Sequence, residues 1–81
     1  MSVPVVTFYT RVGCHLCEEA EATLERVGED TPFVLERVDI EADHTLFKRY
    51  LERIPVVAVD GEELFDYVVD AAALRRKLLP G

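Results

Sequence analysis

Two cysteines that stand three residues apart, between an apolar run and a helical pattern, place the strongest constraint on how this chain can fold. The run VPVVTFY, over residues 3–9, is rich in β-branched and aromatic residues and predicts a central strand, buried on both faces. Cys14 and Cys17 follow it, and from Cys17 onward apolar residues recur at helical spacing as far as Val27. Gly28 is expected to end this first helix. The cysteines therefore lie where a strand passes into a helix.

The rest of the chain predicts three more strands and two more helices. PFVLERVDI, over residues 32–40, predicts a second strand near a sheet edge. Asp43 and Asp70 are candidate N-caps of the second and third helices. Between those helices, Asp60 and Gly61 join two short apolar runs as a hairpin. The order is β-α-β-α-β-β-α, and its strand-helix-strand start requires a parallel pair. We therefore predict an α/β fold with a four-stranded mixed sheet and helices on both faces.

Composition and charge narrow the kind of partner that the chain can bind. Its 81 residues suffice for one core, so a single domain over residues 1–81 is expected. Nine Lys and Arg against sixteen Asp and Glu give a net charge of -7, which repels nucleic acid and anionic membranes. No apolar run reaches the ~20 residues of a membrane span, and residues 1–10 lack a secretion signal. We expect a soluble, monomeric, cytoplasmic protein.

The two cysteines are predicted to form a redox pair. Residues three apart on a helix are neighbours, so Cys14 and Cys17 can form a disulfide without moving the fold. At the helix start, free backbone N–H groups and the helix dipole stabilise a Cys14 thiolate, whereas Cys17 belongs to the apolar stripe and stays a thiol. A zinc site would need His15 and the distant His44 as further ligands, so no metal is expected.

The two neighbours of Cys14 are candidate substrate-binding residues. Gly13 has no side chain, which would let a substrate backbone approach the sulfur. His15, if charged, would add a cation beside Cys14, while Glu18 and Glu19 in the first helical turn would act in the opposite direction. The acidic residues themselves are interpreted as a solvated helix face.

The sequence resembles the glutaredoxin branch of the thioredoxin superfamily along nearly its whole length. The resemblance rests on VVTFYTRVGCHLC at residues 5–17 and on RIPVVAVDGEEL at residues 53–64. It implies the thioredoxin fold and a thiol–disulfide oxidoreductase in which Cys14 is the nucleophile and Cys17 resolves the mixed disulfide. It also implies a cis-proline at Pro55, at the start of the third strand and beside the cysteines.

The resemblance extends to the way in which a substrate is held. A cis bond before Pro55 would turn the Ile54 backbone outward as an edge for an extended thiol substrate. Arg11 and Ile54 are the residues expected to hold part of a thiol peptide.

After the fourth strand, the sequence departs from the glutaredoxins that use glutathione. Those proteins carry a Gly-Gly pair that allows a close approach of the tripeptide, whereas this chain has Phe65 and Asp66 there. Short glutaredoxin-like proteins that share YTR-x-GC-x-LC-E-x-A also lack those glycines. We therefore expect a disulfide-containing protein or a low-molecular-weight thiol as substrate, poor use of glutathione, a thioredoxin-type reductant and no bound cofactor.

Two other functions fit the same residues. An iron–sulfur cluster carrier would bind one cluster between two chains through their Cys14 thiolates, as some glutaredoxins do. A thioredoxin-fold adaptor with vestigial cysteines would have ordinary thiols and no turnover.

Overall fold

The structure is a computed structural model that describes residues 3–79, and its elements follow the predicted order. They are β1 (Val5–Thr10), α1 (His15–Asp30), β2 (Val34–Asp39), α2 (His44–Tyr50), β3 (Val56–Val59), β4 (Glu62–Asp66) and α3 (Ala71–Leu78). A short 3₁₀ turn over Ile40–Ala42 lies between β2 and α2. None of the helices in residues 3–79 is both long enough and apolar enough to cross a membrane.

The four strands form one mixed sheet in the order β2-β1-β3-β4. β1 runs parallel to β2 and antiparallel to β3, and β3 and β4 form the predicted hairpin. At the hairpin turn, Asp60 and Gly61 both have positive φ angles, of 48° and 88°, as the favoured two-residue turn requires. The mixed four-stranded sheet and the position of β2 at its edge are confirmed.

Helices cover both faces of the sheet, and contacts of β1 and β2 show which helix lies where. Phe8 of β1 is level with Arg37 of β2, whose Nε donates to Glu21 of α1 at 2.7 Å. On the other face, the ring of Tyr9 stacks on that of Tyr50 in α2, with centroids 4.2 Å apart. α1 and α3 contact each other, so the longer helices share the first face.

The two faces of β1 are buried to different extents. Val6 and Phe8 are fully buried under α1 and α3, whereas Val5, Thr7 and Tyr9 on the other face are only half-buried. The prediction of burial on both faces was therefore only partly correct. The reason is that α2 has seven residues and covers less of the sheet than the sixteen-residue α1.

The predicted apolar stripe and N-caps are present. Cys17, Ala20, Leu24 and Val27 are the buried residues of α1. The Asp43 carboxylate accepts hydrogen bonds from the first-turn N–H groups of α2, and the Asp70 carboxylate accepts one from Ala73 at the start of α3. The caps are encoded locally, which is why sequence alone located them.

The predicted end of the first helix was wrong. α1 continues past Gly28 to Asp30, and Thr31 is its C-cap, with the Thr31 N–H donating to the Val27 carbonyl at 2.9 Å. A Cβ at position 28 would lie 3.4 Å from the ring of Phe33. Gly28 therefore serves the close packing of Phe33 against the helix rather than helix termination.

Candidate active site

Cys14 and Cys17 form a disulfide at the start of α1, with their Cα atoms 5.1 Å apart. Cys14 is the N-cap of the helix, and its Sγ accepts a hydrogen bond from the backbone N–H of Cys17 at 3.1 Å. The sulfur thus occupies the place that an N-cap oxygen usually takes, where unpaired N–H groups favour negative charge. The disulfide prediction and the location of Cys14 at the helix start are confirmed.

The two cysteines differ in their access to solvent. Cys14 is half-buried, whereas Cys17 is only 3% exposed and belongs to the hydrophobic core. An external sulfur can therefore approach Cys14 far more readily than Cys17. Such asymmetry is what a disulfide-exchange site needs, because one sulfur must meet the substrate while the other waits inside.

The β1–α1 turn before Cys14 requires a glycine for a conformational reason. Gly13 has a φ of +83°, in the left-handed region that other residues adopt at a cost. A Cβ built on Gly13 would meet no atom within 4 Å. Backbone conformation, rather than crowding by other atoms, explains why position 13 is a glycine. The open space around Gly13 leaves the approach to Cys14 clear.

A cleft of about 420 Å³ opens beside the cysteines, between the start of α1 and the ends of β1 and β2. Its walls include both cysteines, Gly13, Arg11 and Arg37. It also contains carboxylates, contributed by Glu18, Glu21 and Asp39. Of the predicted site residues, Arg11, Gly13 and the two cysteines line the cleft, whereas His15, Ile54 and Pro55 do not.

Arg11 is held by partners within the chain. A terminal guanidinium nitrogen lies 3.2 Å from a carboxylate oxygen of Glu41, and the guanidinium carbon is 5.8 Å from the ring centre of Phe47. Its side chain is about one-third exposed, at 35%. An anionic group that binds Arg11 therefore competes with Glu41 for it.

His15 points along the helix instead of adding an unopposed cation beside Cys14. Its side chain is exposed, and its Nε2 lies 3.3 Å from a carboxylate oxygen of Glu19, one turn further along α1. Any positive charge on the ring is therefore balanced by Glu19.

Pro55 lies at the end of the sheet from which the cysteine turn departs. The Ile54-Pro55 bond is cis, as expected. Tyr9 pairs with Val56 in the antiparallel β1–β3 ladder, so Pro55 is level with Thr10, the last residue of β1. The Ile54 N–H, however, donates to the Tyr50 carbonyl at 3.0 Å. The expectation that Ile54 offers its backbone as an open edge is therefore wrong for the N–H donor.

A tight turn beyond β4, over residues 66–68 and called the 66–68 turn below, is fastened to the Pro55 segment. The Val68 N–H donates to the Asp66 carbonyl at 2.7 Å, and Tyr67 between them has a φ of +66°. The Tyr67 N–H donates to the Pro55 carbonyl at 2.9 Å, and its hydroxyl donates to the Glu52 carbonyl. Backbone and side chain of Tyr67 thus both hold the turn against this segment.

Arg53, in the turn that follows α2, donates hydrogen bonds to two carboxylates of β4 next to the 66–68 turn. Its Nε and a terminal nitrogen donate to the two carboxylate oxygens of Asp66, at 3.0 and 3.1 Å. It also donates to Glu63 at 2.7 Å, and Glu63 accepts the Tyr50 hydroxyl at 2.7 Å. The hydrogen bond from Arg53 and, to a smaller extent, the hydrogen bond from Tyr50 lower the pKa of the Glu63 carboxyl group. Burial is the main cause that raises the pKa of Tyr50, and the hydrogen bond to Glu63 is the second. The hydroxyl therefore stays protonated and acts as the donor to Glu63.

Sequence reasoning missed Arg53, Glu63 and Tyr67 as members of this region. Counting outward from the hairpin turn pairs Ala58 with Glu63 and would pair Val57 with Leu64. A bulge instead places Phe65 opposite Val57. The extra residue changes the face on which later side chains lie, and no local pattern marks it.

Similarity to known proteins extends over nearly the whole chain. A family model described as Glutaredoxin-like domain (DUF836) matches residues 5–79. A glutaredoxin-like protein of Dictyostelium discoideum is 32% identical over 71 residues, which cover 80% of this chain and 66% of the relative. The chain thus spans just under two thirds of that relative's length.

Two solved structures resemble this fold. The solution NMR structure of protein Ne2328 from Nitrosomonas europaea superposes with a TM-score of 0.83 at 31% identity, covering 98% of this chain and 95% of that protein. A variant thioredoxin from Halobacterium salinarum superposes with a TM-score of 0.67 at 24% identity, covering 93% of this chain and 71% of the thioredoxin. The second likeness concerns the fold alone.

Proposed function

The chain belongs to the glutaredoxin-like domain family, and from that premise we propose that it is a thiol–disulfide oxidoreductase that works through Cys14 and Cys17. The observation that carries the proposal is the disulfide between a half-buried N-cap cysteine and a core cysteine. A structural disulfide alone would not need one sulfur at a cleft and at a helix N-terminus.

The reaction transfers two electrons from the reduced pair to a substrate disulfide. The Cys14 thiolate attacks one substrate sulfur, which forms a mixed disulfide and breaks the substrate S–S bond; the other substrate sulfur leaves as a thiolate and takes a proton. Cys17 then loses its proton and attacks the Cys14 sulfur, which releases the second substrate thiol and forms the Cys14–Cys17 disulfide. An external thiol reductant restores the pair by the same exchange in reverse.

The geometry supports each of these two steps. The Cys17 N–H that bonds to the Cys14 Sγ in the disulfide is placed to stabilise the same sulfur as an attacking or leaving thiolate. Because Cys17 is three residues further along the helix, it reaches the mixed disulfide without movement of the backbone. The cleft of about 420 Å³ at Cys14 gives a substrate room to present its disulfide.

A protein dithiol, rather than glutathione, is the reductant that we propose. The residues that replace the small Gly-Gly pair are Phe65, which packs against the core, and Asp66, whose carboxylate is engaged by Arg53. The negative charge of Asp66 is therefore balanced, and the obstacle to glutathione is the loss of the glycine-lined approach that backbone hydrogen bonds to the tripeptide need. Beyond them, Tyr67 and Val68 expose apolar surface where charged ends of a tripeptide would need polar partners. We also propose that the protein is monomeric and cytoplasmic.

Single-cysteine variants test the function. With a protein disulfide as substrate and a protein dithiol as reductant, the wild type is expected to turn over and Cys14→Ser to be inactive. Cys17→Ser is expected to accumulate a mixed disulfide, detected as an added mass that dithiothreitol removes. Full activity of Cys14→Ser, or no turnover by the folded wild type, would refute the proposal.

A further inference from the structure

We propose that Arg53 is a positioning residue that holds the 66–68 turn beside the cysteines and thereby sets the affinity for protein disulfides. The proposal rests on the oxidoreductase function above and adds a residue that determines which substrates that site accepts. Arg53 acts through Asp66, and not by contact with the reacting sulfurs.

Arg53 joins the two segments that meet at Pro55. Arg53 directly precedes the Ile54-Pro55 bond, and its partner Asp66 directly precedes Tyr67. Two parallel N–H···O bonds fix the orientation of a guanidinium relative to a carboxylate as well as their distance. Together with the two bonds from Tyr67, the pair therefore helps to fix how the Pro55 segment and the 66–68 turn lie against each other.

The conformation of the 66–68 turn needs stabilisation by contacts from outside the turn. Tyr67 has a φ of +66°, which a side chain other than glycine adopts only when its surroundings impose it. The Val68 N–H bond to the Asp66 carbonyl closes around that conformation, and the Tyr67 N–H bond to the Pro55 carbonyl fastens the turn to the Pro55 segment. The Arg53–Asp66 pair, about one-third exposed on both sides, is the ionic contact closest along the chain to this bond.

The 66–68 turn presents apolar surface next to the residue between the two cysteines. Leu16, which lies between Cys14 and Cys17 in the sequence, borders a small pocket of about 90 Å³ together with Tyr67 and Val68. These three side chains are 41%, 50% and 70% exposed. An apolar side chain that flanks the cysteine of a protein substrate can cover them, whereas a small disulfide without such a side chain cannot. Displacing the turn would therefore weaken protein binding selectively.

Arg49 offers a control because its side chain also lies near Glu63 and Tyr50 but forms no ion pair with Asp66 within residues 3–79. Its guanidinium lies over the Tyr50 ring at 5.4 Å, compared with 5.3 Å for Arg53. It approaches Glu63 only to 4.0 Å, and its side chain is 65% exposed. Arg49→Gln thus removes the same charge from the same region and leaves the link to the 66–68 turn intact.

The test compares Arg53→Gln with Arg49→Gln on a protein disulfide and on a small disulfide such as hydroxyethyl disulfide. For Arg53→Gln we expect KM for the protein disulfide to rise about fivefold, the factor that corresponds to the ~1 kcal/mol of one partly exposed ion pair. We expect kcat and the turnover of the small disulfide to change by less than about twofold, and Arg49→Gln to match the wild type. Equal losses on both substrates, or an unchanged KM, would overturn the proposal.

Amide hydrogen exchange gives a second reading that does not depend on turnover. The Tyr67 N–H is expected to exchange faster in Arg53→Gln than in the wild type, while in Arg49→Gln it keeps its protection. Unchanged protection in Arg53→Gln would overturn the positioning role. If the wild type reduces neither disulfide, the proposed function fails, and the exchange of Tyr67 still decides whether Arg53 holds the turn.

Discussion

The backbone N–H of Cys17 donates a hydrogen bond of 3.1 Å to the Sγ of Cys14. The buried cysteine thus supports the accessible one through its backbone, while its own sulfur lies in the core. This relationship gives the two thiols of the reduced protein different environments within a single helical turn. The first prediction follows from it.

In the folded, reduced protein, Cys14 is expected to react with iodoacetamide near neutral pH at least about tenfold faster than Cys17. The reason is that Cys14 is accessible and lies among helix N-terminal N–H groups, whereas Cys17 reacts only when the structure opens locally. Peptide mass spectrometry after timed alkylation measures both rates. In guanidinium chloride the rates are expected to converge; equal rates in the folded protein would contradict the assigned roles.

Glutathione is expected to support at least about tenfold slower turnover than a thioredoxin-type protein. A glycine-lined approach lets several backbone hydrogen bonds form, at roughly 1 kcal/mol each, and Phe65 and Asp66 occupy that place here. Parallel assays on one mixed-disulfide substrate would compare glutathione plus its reductase with thioredoxin plus its own. Efficient turnover that saturates at low millimolar glutathione or below would contradict this prediction.

Protein purified without oxygen is expected to be colourless, because the proposed reaction needs only thiols. A cluster shared between two chains through Cys14 would give visible absorbance and a dimer on gel filtration, and both would disappear in Cys14→Ser. Observation of these features would favour the cluster-carrier hypothesis over the oxidoreductase.

Gly13→Ala is expected to lower the free energy of unfolding by about 1 kcal/mol, because alanine is strained at the φ of +83°. Gly61→Ala is the matched control: its φ is +88°, and a Cβ there also meets no atom within 4 Å. Chemical denaturation is expected to show similar losses for both variants. Only Gly13→Ala is expected to slow the reaction of Cys14; a similar slowing in Gly61→Ala would mean that stability, and not the turn, controls reactivity.

The stability of the protein is expected to fall when the pH drops below the usual carboxyl range. Hydrogen bonds from Arg53 and Tyr50 lower the folded-state pKa of Glu63, so its contribution is present above the unfolded-state value of about 4.5 and is lost as the pH falls through the folded value. Unfolding titrations from neutral pH to pH ~3 are expected to show a smaller loss in Glu63→Gln.

The neighbouring residue supplies the control for this titration. Glu62 lies on the opposite side of β4 and pairs with Lys77 of α3 at 2.9 Å. The acid-dependent loss is expected to be smaller in Glu63→Gln than in Glu62→Gln. An identical acid response of Glu63→Gln and the wild type would show that Glu63 is not responsible.

The order of the elements, the hairpin turn, the helix caps and the cysteine pair could be predicted because each depends on residues close in sequence. An Asp before a helix, an Asp-Gly turn and two cysteines one helical turn apart act through bonds that span at most four residues. The end of α1 was mispredicted for the opposite reason. Gly28 satisfies a contact with Phe33, beyond the helix, that its local pattern does not reveal.

Tertiary structure decided which side chains from outside the cysteine turn lie near the candidate site. The β3–β4 bulge, with Val57 opposite Phe65, sets which face of the sheet Asp66 joins and therefore brings it to Arg53. By contrast, the Ile54 N–H bond to the Tyr50 carbonyl spans only four residues, so the loss of that donor to a substrate is a local feature at the end of α2. The position of Asp66 depends on how two separate strands pair, and the energy of that pairing is shared among contacts that no short stretch of sequence contains. The cysteine chemistry is therefore encoded locally in residues 13–17, whereas the surface that surrounds it is a product of the assembled fold.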